Sequence, residues 1–288
     1  MSRSVGVVIP AYHPDVDRLG AYVRALHEAV APEEIRVELD SEASETPRAD
    51  GEAVDSVEPR ATESRTESGD AAEPTVRDRI ADLPVTLHAV SGRRGKGAAI
   101  TAGFESLSTE VDVLAFADAD GSTPAPSIAD VVRPVVAGDA DLAAGSRRHP
   151  EATVQSHQTV ARRYLGDGFA WLARRLLDVH LYDYQCGAKA LTTDAWDRVR
   201  PHLHEPGFAW DIELLAVADA VGCRIAEVPV VWEDRPESTV SPVQTTLRLA
   251  RGLVVSRHRA KLLRNDRLHS LLDRPRDSTS ALVERDHR

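Results

Sequence analysis

Residues 111–123 read VDVLAFADADGST, an apolar run that stops at two aspartates one residue apart. A short run rich in Val, Leu and Phe reads as a strand buried on both faces, the kind found in parallel sheets covered by helices. Its end carries Asp118-Ala119-Asp120-Gly121-Ser122-Thr123. In open parallel sheets, ligands bind beyond the carboxyl ends of strands. Two carboxylates placed there can hold a hard divalent cation, which takes oxygen ligands. Such a cation can neutralise a diphosphate leaving group. The plainer alternative is a turn, since Asp and Gly are both good turn residues.

The pattern on either side agrees with a parallel sheet. Upstream, VGVVI at 5–9 reads as a strand stopped by Pro10, and Asp15 can cap a helix running to Val30. Further strands are expected at 35–39 and 85–90, and SGRRGKG leads into a helix at 98–107. Downstream, helices are expected at 127–137, 158–177 and 210–221, with strands at 142–144, 187–191 and 224–231. This β-α-β alternation predicts one α/β domain over 1–235, with a mostly parallel central sheet and helices on both faces.

Residues 40–79 break the pattern. They contain no Leu, Ile, Met or aromatic residue, and they hold 12 acidic against 5 basic residues. Such a stretch buries too little surface to offset its ordering entropy and is expected to be a disordered insertion. It contributes most of the formal charge of −11. The rest of the chain is near balance, and an acidic total argues against a nucleic-acid partner. Only three of the 35 cations are lysines, Lys96, Lys189 and Lys261. Two cysteines, Cys186 and Cys223, make no disulfide framework and fit a reducing compartment. No run of about 18 apolar residues occurs, so no spanning helix is expected. Pro10 interrupts the N-terminus before a signal-peptide core develops, so export is not expected.

Two other chemistries compete for these motifs. An apolar strand followed by DADGST also describes an Asp-nucleophile phosphatase of the haloacid-dehalogenase type, with Asp118 attacking phosphorus. That motif usually lies near a domain's N-terminus, whereas this one follows three expected strands. Gly95-Lys96-Gly97 before a helix suggests dinucleotide binding, but Ile100 stands where the fingerprint needs Gly or Ala. Lys96 is followed by Gly97 rather than Ser or Thr, which also excludes a Walker loop. The cations of this loop, Arg94 and Lys96 among them, suit phosphate contact.

Taken in order, the motifs resemble family 2 glycosyltransferases of the GT-A fold, nearest the dolichyl-phosphate glucosyltransferase and mannosyltransferase branch. The matching stretches are VVIPAY (7–12), RRGKGAAI (93–100), FADADGST (116–123), AGSR (144–147), DYQCGAKAL (183–191), AWDIELL (209–215) and EVPVVWED (227–234). The resemblance implies transfer of a hexose from a UDP- or GDP-sugar to dolichyl or polyprenyl phosphate, with inversion. It implies that Pro10, Ala11 and Tyr12 line the base and ribose site, with Arg94 and Lys96 near the nucleotide. Asp120 becomes the main ligand of Mg²⁺ or Mn²⁺, and Asp118 contacts that metal or the ribose. Arg147, Arg163 and Lys189 become candidates for gripping the acceptor phosphate, with Arg162 an equal rival to Arg163. Asp211 orients the acceptor or assists proton transfer, and Gln185 shapes the pocket. At the second strand the family's Asp-Asp-Gly-Ser is replaced by Asp40-Ser41-Glu42-Ala43-Ser44, so Asp40 is the candidate for the base-reading role. A non-catalytic scaffold on a decayed transferase is the remaining alternative.

Residues 244–267 hold seven Arg or Lys against one acid, Asp266, with apolar residues at near-helical intervals. Within the segment 236–270, that pattern describes a basic amphipathic helix. It suits docking on the cytoplasmic face of a membrane as a peripheral protein, or packing on the domain with a solvated cationic face. Residues 271–288 are expected to form a disordered tail.

Overall fold

In the computed structural model, the described residues are 3–41, 76–155, 160–233, 242–266, 269 and 280–285, without the side chains of 160–165 and 242–247. The first half alternates strand and helix: β1 (Val5–Tyr12), α1 (Val16–Val30), β2 (Glu34–Ser41), α2 (Val76–Ile80), β3 (Val85–Ser91), α3 (Lys96–Leu107) and β4 (Val113–Ala117). Then come α4 (Ala125–Ala137), β5 (Leu142–Ser146), β6 (Thr153–Gln155), α5 (Val160–Leu176), β7 (Ala188–Thr192) and α6 (Thr193–Val199). The last elements are α7 (Trp210–Ala220), β8 (Ile225–Pro229), β9 (Val231–Glu233), α8 (Pro242–Leu263) and α9 (Leu282–Arg285).

Seven strands form one sheet in the order β3-β2-β1-β4-β7-β5-β8. All neighbours run parallel except β7, which is antiparallel to both β4 and β5. Alternate residues of β1 and β4 point to two separate cores. Val8, Leu114 and Phe116 join the core under α3, α6 and α7. Val7, Ile9, Val113, Ala115 and Ala117 join the core under α1 and α4. Both faces are covered, which is why the strands read as unbroken apolar runs.

Several boundaries differ from the sequence reading. β1 continues through Pro10 to Tyr12. β4 pairs with β1 only as far as Val8, so one edge of β1 is already free at Pro10 and its missing N–H costs no ladder bond. β2 runs to Ser41, with Asp40 buried, so the expected insertion does not begin at residue 40. It also ends before residue 79, because α2 starts at Val76 and buries Ile80 in the α1 side of the core. Residues 42–75 lie outside the described residues. The expected tail is corrected at 280–285. Ala281 and Leu282 are buried, and Leu282 N–H donates to the Leu203 carbonyl at 2.8 Å. Two apolar side chains covering the 200–203 turn explain this docking.

Candidate functional site

The carboxyl edges of β1, β2 and β4 and the start of β7 meet at one end of the sheet. Register places Tyr12 beside Asp40 and Phe116 beside Lys189. Six charged side chains are buried among the described residues: Glu38, Asp40, Asp183, Lys189, Asp211 and Glu213. Each has a charged or backbone partner, as burial of charge requires.

Asp118 follows β4 directly. Its N–H donates to the Gly187 carbonyl at 3.1 Å, and Gly121, at φ 65°, closes the turn back onto the Asp118 carbonyl. Asp120 Oδ1 accepts the Ser122 N–H at 2.9 Å, which is ordinary turn bonding. The turn reading is therefore correct, and it leaves both carboxylates facing outward: Asp118 is 39% exposed as a side chain and Asp120 lies at the surface. Their charges, after burial itself, push the neighbouring Tyr22 hydroxyl well above its ordinary pKa. Gly187 is needed here, because a Cβ at that position would lie 1.9 Å from Asp118 Oδ2.

Lys96 begins α3 and points inward rather than out. Its Nζ lies 2.9 Å from Asp118 Oδ1 and 3.1 Å from Asp211 Oδ2. Gly95 and Gly97 allow this, since a Cβ on either would meet the carbonyl of Pro206 or Glu205 at 2.6 Å. Asp211, at the start of α7, also accepts from Lys189 Nζ at 2.7 Å. Burial opposes ionisation of Asp211, but the Lys189 and Lys96 ammonium groups overcome it and hold the carboxyl below its ordinary range. Lys189 is buried and spends a further donor on the Cys186 carbonyl at 2.8 Å. It is not presented at the surface as a grip for an acceptor. Cys186 is buried too, and burial pushes its thiol up to about 11, so it is no nucleophile.

Arg147, just past β5, forks onto Asp183, with Nε to Oδ2 at 2.7 Å and a terminal nitrogen to Oδ1 at 3.1 Å. Its side chain keeps 27% exposure and lies 5.7 Å from the Trp232 ring. Asp183 also accepts the Gln185 N–H at 2.9 Å, which places Gln185 beside Arg147. Arg163 lies on α5, and its side chain, like that of Arg162, is outside the described residues.

At the other end, Asp40 has no free oxygen. Oδ2 accepts the N–H groups of Arg94 and Gly95 at 2.8 and 3.0 Å, and Oδ1 accepts Arg94 Nε at 2.8 Å. Glu38, fully buried, takes Arg94 at 2.9 Å, Arg36 at 2.6 Å and His88 at 2.7 Å. Above this cluster, Tyr12 is exposed and Arg93 stacks on its ring at 4.4 Å, while Pro10 and Ala11 form the strand beneath.

Sequence reasoning gave no role to Glu38, Asp183 or Gly187. A glutamate inside an apolar strand was the visible sign for Glu38. Asp183 and Gly187 lie within a quoted motif, but their contacts join residues far apart in sequence.

The fold is that of the GT-A glycosyltransferases. Glucosyl-3-phosphoglycerate synthase from Mycobacterium tuberculosis, solved with Mn²⁺ and UDP, matches with a TM-score of 0.55 at 16% identity, covering 88% of this chain and 80% of that one. Mannosyl-3-phosphoglycerate synthase from Rubrobacter xylanophilus matches with a TM-score of 0.58 at 16% identity, covering 96% and 78%.

The relatives in sequence are more specific. The chain is 33% identical over 175 residues to dolichyl-phosphate beta-glucosyltransferase of Mus musculus, covering 58% of this chain and 52% of that one. It is 32% identical over 171 residues to the Homo sapiens enzyme of the same name, covering 58% and 52%. It is 31% identical over 179 residues to glycosyltransferase AglD of Haloferax volcanii, covering 60% and 28%. The chain thus spans about half the length of the first two and under a third of the last. No family model matches the chain.

Proposed function

We propose that the protein transfers a hexose from a nucleoside-diphosphate sugar to a dolichyl or polyprenyl phosphate, with inversion. The observation that carries this is the outward-facing Asp118–Asp120 turn, with the Lys96 ammonium 2.9 Å from Asp118. Its setting, a chain similar to dolichyl-phosphate beta-glucosyltransferases, supports the acceptor class.

Among the described residues no group of three or more His, Cys, Asp or Glu gathers as a metal cage. Two carboxylates with open oxygens suit Mg²⁺ or Mn²⁺, which takes its remaining ligands from substrate phosphate and water. Asp118 and Asp120 would hold that ion, and its charge would stabilise the departing nucleoside diphosphate. Tyr12, with Arg93 on its ring, offers a flat surface for the base. Arg94, fixed by Asp40 and Glu38, keeps further N–H donors for the nucleotide. Arg147, oriented by Asp183, suits the acceptor phosphate, because a fork binds phosphate oxygens in pairs.

The acceptor phosphate is already an anion, so its attack on the anomeric carbon needs no strong base. Asp211, locked between two ammonium groups, acts by holding Lys96 rather than by taking a proton. Catalysis then rests on positioning and on stabilisation of developing charge. The phosphatase alternative is set aside because the fold is GT-A.

No described helix is long and apolar enough to cross a membrane. Helix α8 buries Leu249, Leu253 and Ala260, and leaves Arg251 and Val254 exposed. That exposed strip supports peripheral docking on the cytoplasmic membrane face by 244–267.

The test is transfer from labelled UDP- and GDP-hexoses to polyprenyl phosphate in vesicles, with and without Mn²⁺. Lipid-linked sugar that requires Mn²⁺ and vanishes in Asp120→Ala is expected. No product from any of these donors, or undiminished transfer in Asp120→Ala, overturns the reading.

A further inference from the structure

Asp118 already has a cation. Lys96 Nζ sits 2.9 Å from its Oδ1 and 5.1 Å from the centre of the Phe116 ring. The same ammonium reaches Asp211 at 3.1 Å, and Lys189 holds the other oxygen of Asp211 at 2.7 Å. Four charges therefore alternate in sign along a line, Asp118, Lys96, Asp211, Lys189. Its two ends differ. Lys189 and Asp211 are 0% and 3% exposed, whereas Asp118 is 39% exposed. The inner pair is fixed, and the outer pair faces the site. A divalent cation approaching Asp118 meets an ammonium at the same carboxylate, and like charges a few ångströms apart repel strongly where water is scarce.

We propose that Lys96 is the resident counter-ion of Asp118, which releases the carboxylate when a divalent cation arrives with a nucleoside diphosphate and then contacts the diphosphate while Asp211 still tethers it. The proposal rests on the metal-assisted nucleotide-sugar reading above. Lysine suits the task better than arginine, because a compact ammonium with rotatable donors can change partners without turning a planar fork. Of the 35 cations in the chain only three are lysines, and two of the three are on this line.

The experiment is Mn²⁺ titration of the nucleotide-free protein, read from the electron paramagnetic resonance of unbound ion, with circular dichroism to check each fold. Lys96→Met is expected to bind Mn²⁺ about tenfold more tightly than the wild type, because the competing charge is gone. Lys96→Arg, which keeps the competing charge, shows no such gain, and Lys96→Met combined with Asp118→Asn loses it. Should Lys96→Met fail to fold, Lys96→Gln carries the same expectation. With Mn²⁺ saturating, calorimetry of Lys96→Met with UDP and GDP is expected to show about tenfold weaker binding, from one lost charge-assisted contact. Mn²⁺ affinity no higher than wild type overturns the counter-ion role. Unchanged diphosphate affinity overturns the transfer of Lys96 to the diphosphate. A wild-type protein that binds Mn²⁺ but neither nucleotide overturns the nucleotide-sugar reading and leaves the Mn²⁺ comparison to decide the counter-ion role.

Discussion

Two carboxylate pairs stand at the same edge of the sheet, Glu38 with Asp40 in the last residues of β2 and Asp118 with Asp120 just after β4. The first pair is closed. Glu38 is 0% and Asp40 4% exposed, and Arg36, His88, Arg94 and two backbone N–H groups take up their oxygens. The second pair is open, with Asp118 held at one oxygen by Lys96 and Asp120, among the described residues, bonded only within its own turn. The same chemical group thus builds the site in one place and offers itself to a ligand in the other. What separates the roles is the number of unused lone pairs, and that number is a property of the fold.

The sharpest way to break the comparison is to delete one member of each pair. Asp120→Ala is expected to cut transfer by about a thousandfold or more, the loss of several kcal/mol of charge stabilisation. Its unfolding free energy is expected to stay within about 0.5 kcal/mol of wild type, since the side chain is at the surface. Glu38→Ala is expected to show the opposite balance. It leaves Arg36 and His88 without their buried partner and Arg94 with Asp40 alone, and costs about 3 kcal/mol of stability in denaturant unfolding. Equal losses in both measurements for both variants would erase the distinction.

A finer cut tests whether the open pair must be open. Gly187→Ala puts a Cβ where Asp118 Oδ2 now lies, so the carboxylate has to turn away. Overpacking of this kind costs about 1–3 kcal/mol of stability. Mn²⁺-dependent nucleotide binding is expected to fall by about tenfold or more beyond what the stability change explains, since a displaced carboxylate no longer meets the ion. Unaltered Mn²⁺ dependence in a folded Gly187→Ala protein would show that the Asp118 rotamer seen here is not the one that matters.

The open pair was readable in the sequence and the closed one was not. Asp118 and Asp120 announce themselves because strand, turn and carboxylates are contiguous, and strand order fixes which end of the sheet they reach. The parallel sheet was readable for the same reason, from apolar runs punctuated by Gly and Asp. What escaped reading depends on contacts between distant segments. The resemblance makes Asp40 the candidate base contact, standing where the family carries Asp-Asp-Gly-Ser. The Arg94–Gly95 turn that uses up its oxygens lies more than 50 residues further along. The family resemblance makes Lys189 a candidate phosphate grip, yet antiparallel β7 carries it into the centre of the sheet beside Phe116. The reversal of β7 has no local signature, and so neither did the burial of Lys189.

A third carboxylate sharpens the comparison through pH. Asp183 is buried like the closed pair, yet it serves a partly exposed arginine. Burial alone would raise its pKa, but the Arg147 guanidinium and the N–H groups of Gln185 and Arg147 hold it well below the ordinary carboxylate range. A group whose pKa is depressed by folding stabilises the native state above its unfolded value of about 3.9, and that stability fades as pH falls toward the folded value. Asp183→Asn is therefore expected to lower stability at neutral pH and to flatten the loss of stability below about pH 4. Urea unfolding at a series of acid pH values reads this directly. An acid limb as steep in Asp183→Asn as in wild type would mean that other carboxylates carry it.

The smallest effect concerns cations that have no such partners. On α8, Arg259, Lys261 and Arg264 are tied to Glu213, Asp178 and Asp219, so their charge is spent on the domain. Arg251 is exposed, one turn from exposed Val254, on the face away from buried Leu249 and Leu253. If 244–267 docks on an anionic bilayer, Arg248 and Arg251, which are exposed and make no ion pair among the described residues, are the ones that sense it, by about 1 kcal/mol per cation near the surface. Arg251→Ser is expected to weaken co-sedimentation with phosphatidylserine vesicles severalfold at low salt, and Arg264→Ser to leave it unchanged. The difference should shrink as salt is raised, because exposed charges are screened over about 8 Å at physiological ionic strength. A matched loss in both variants would place the membrane contact elsewhere on the molecule.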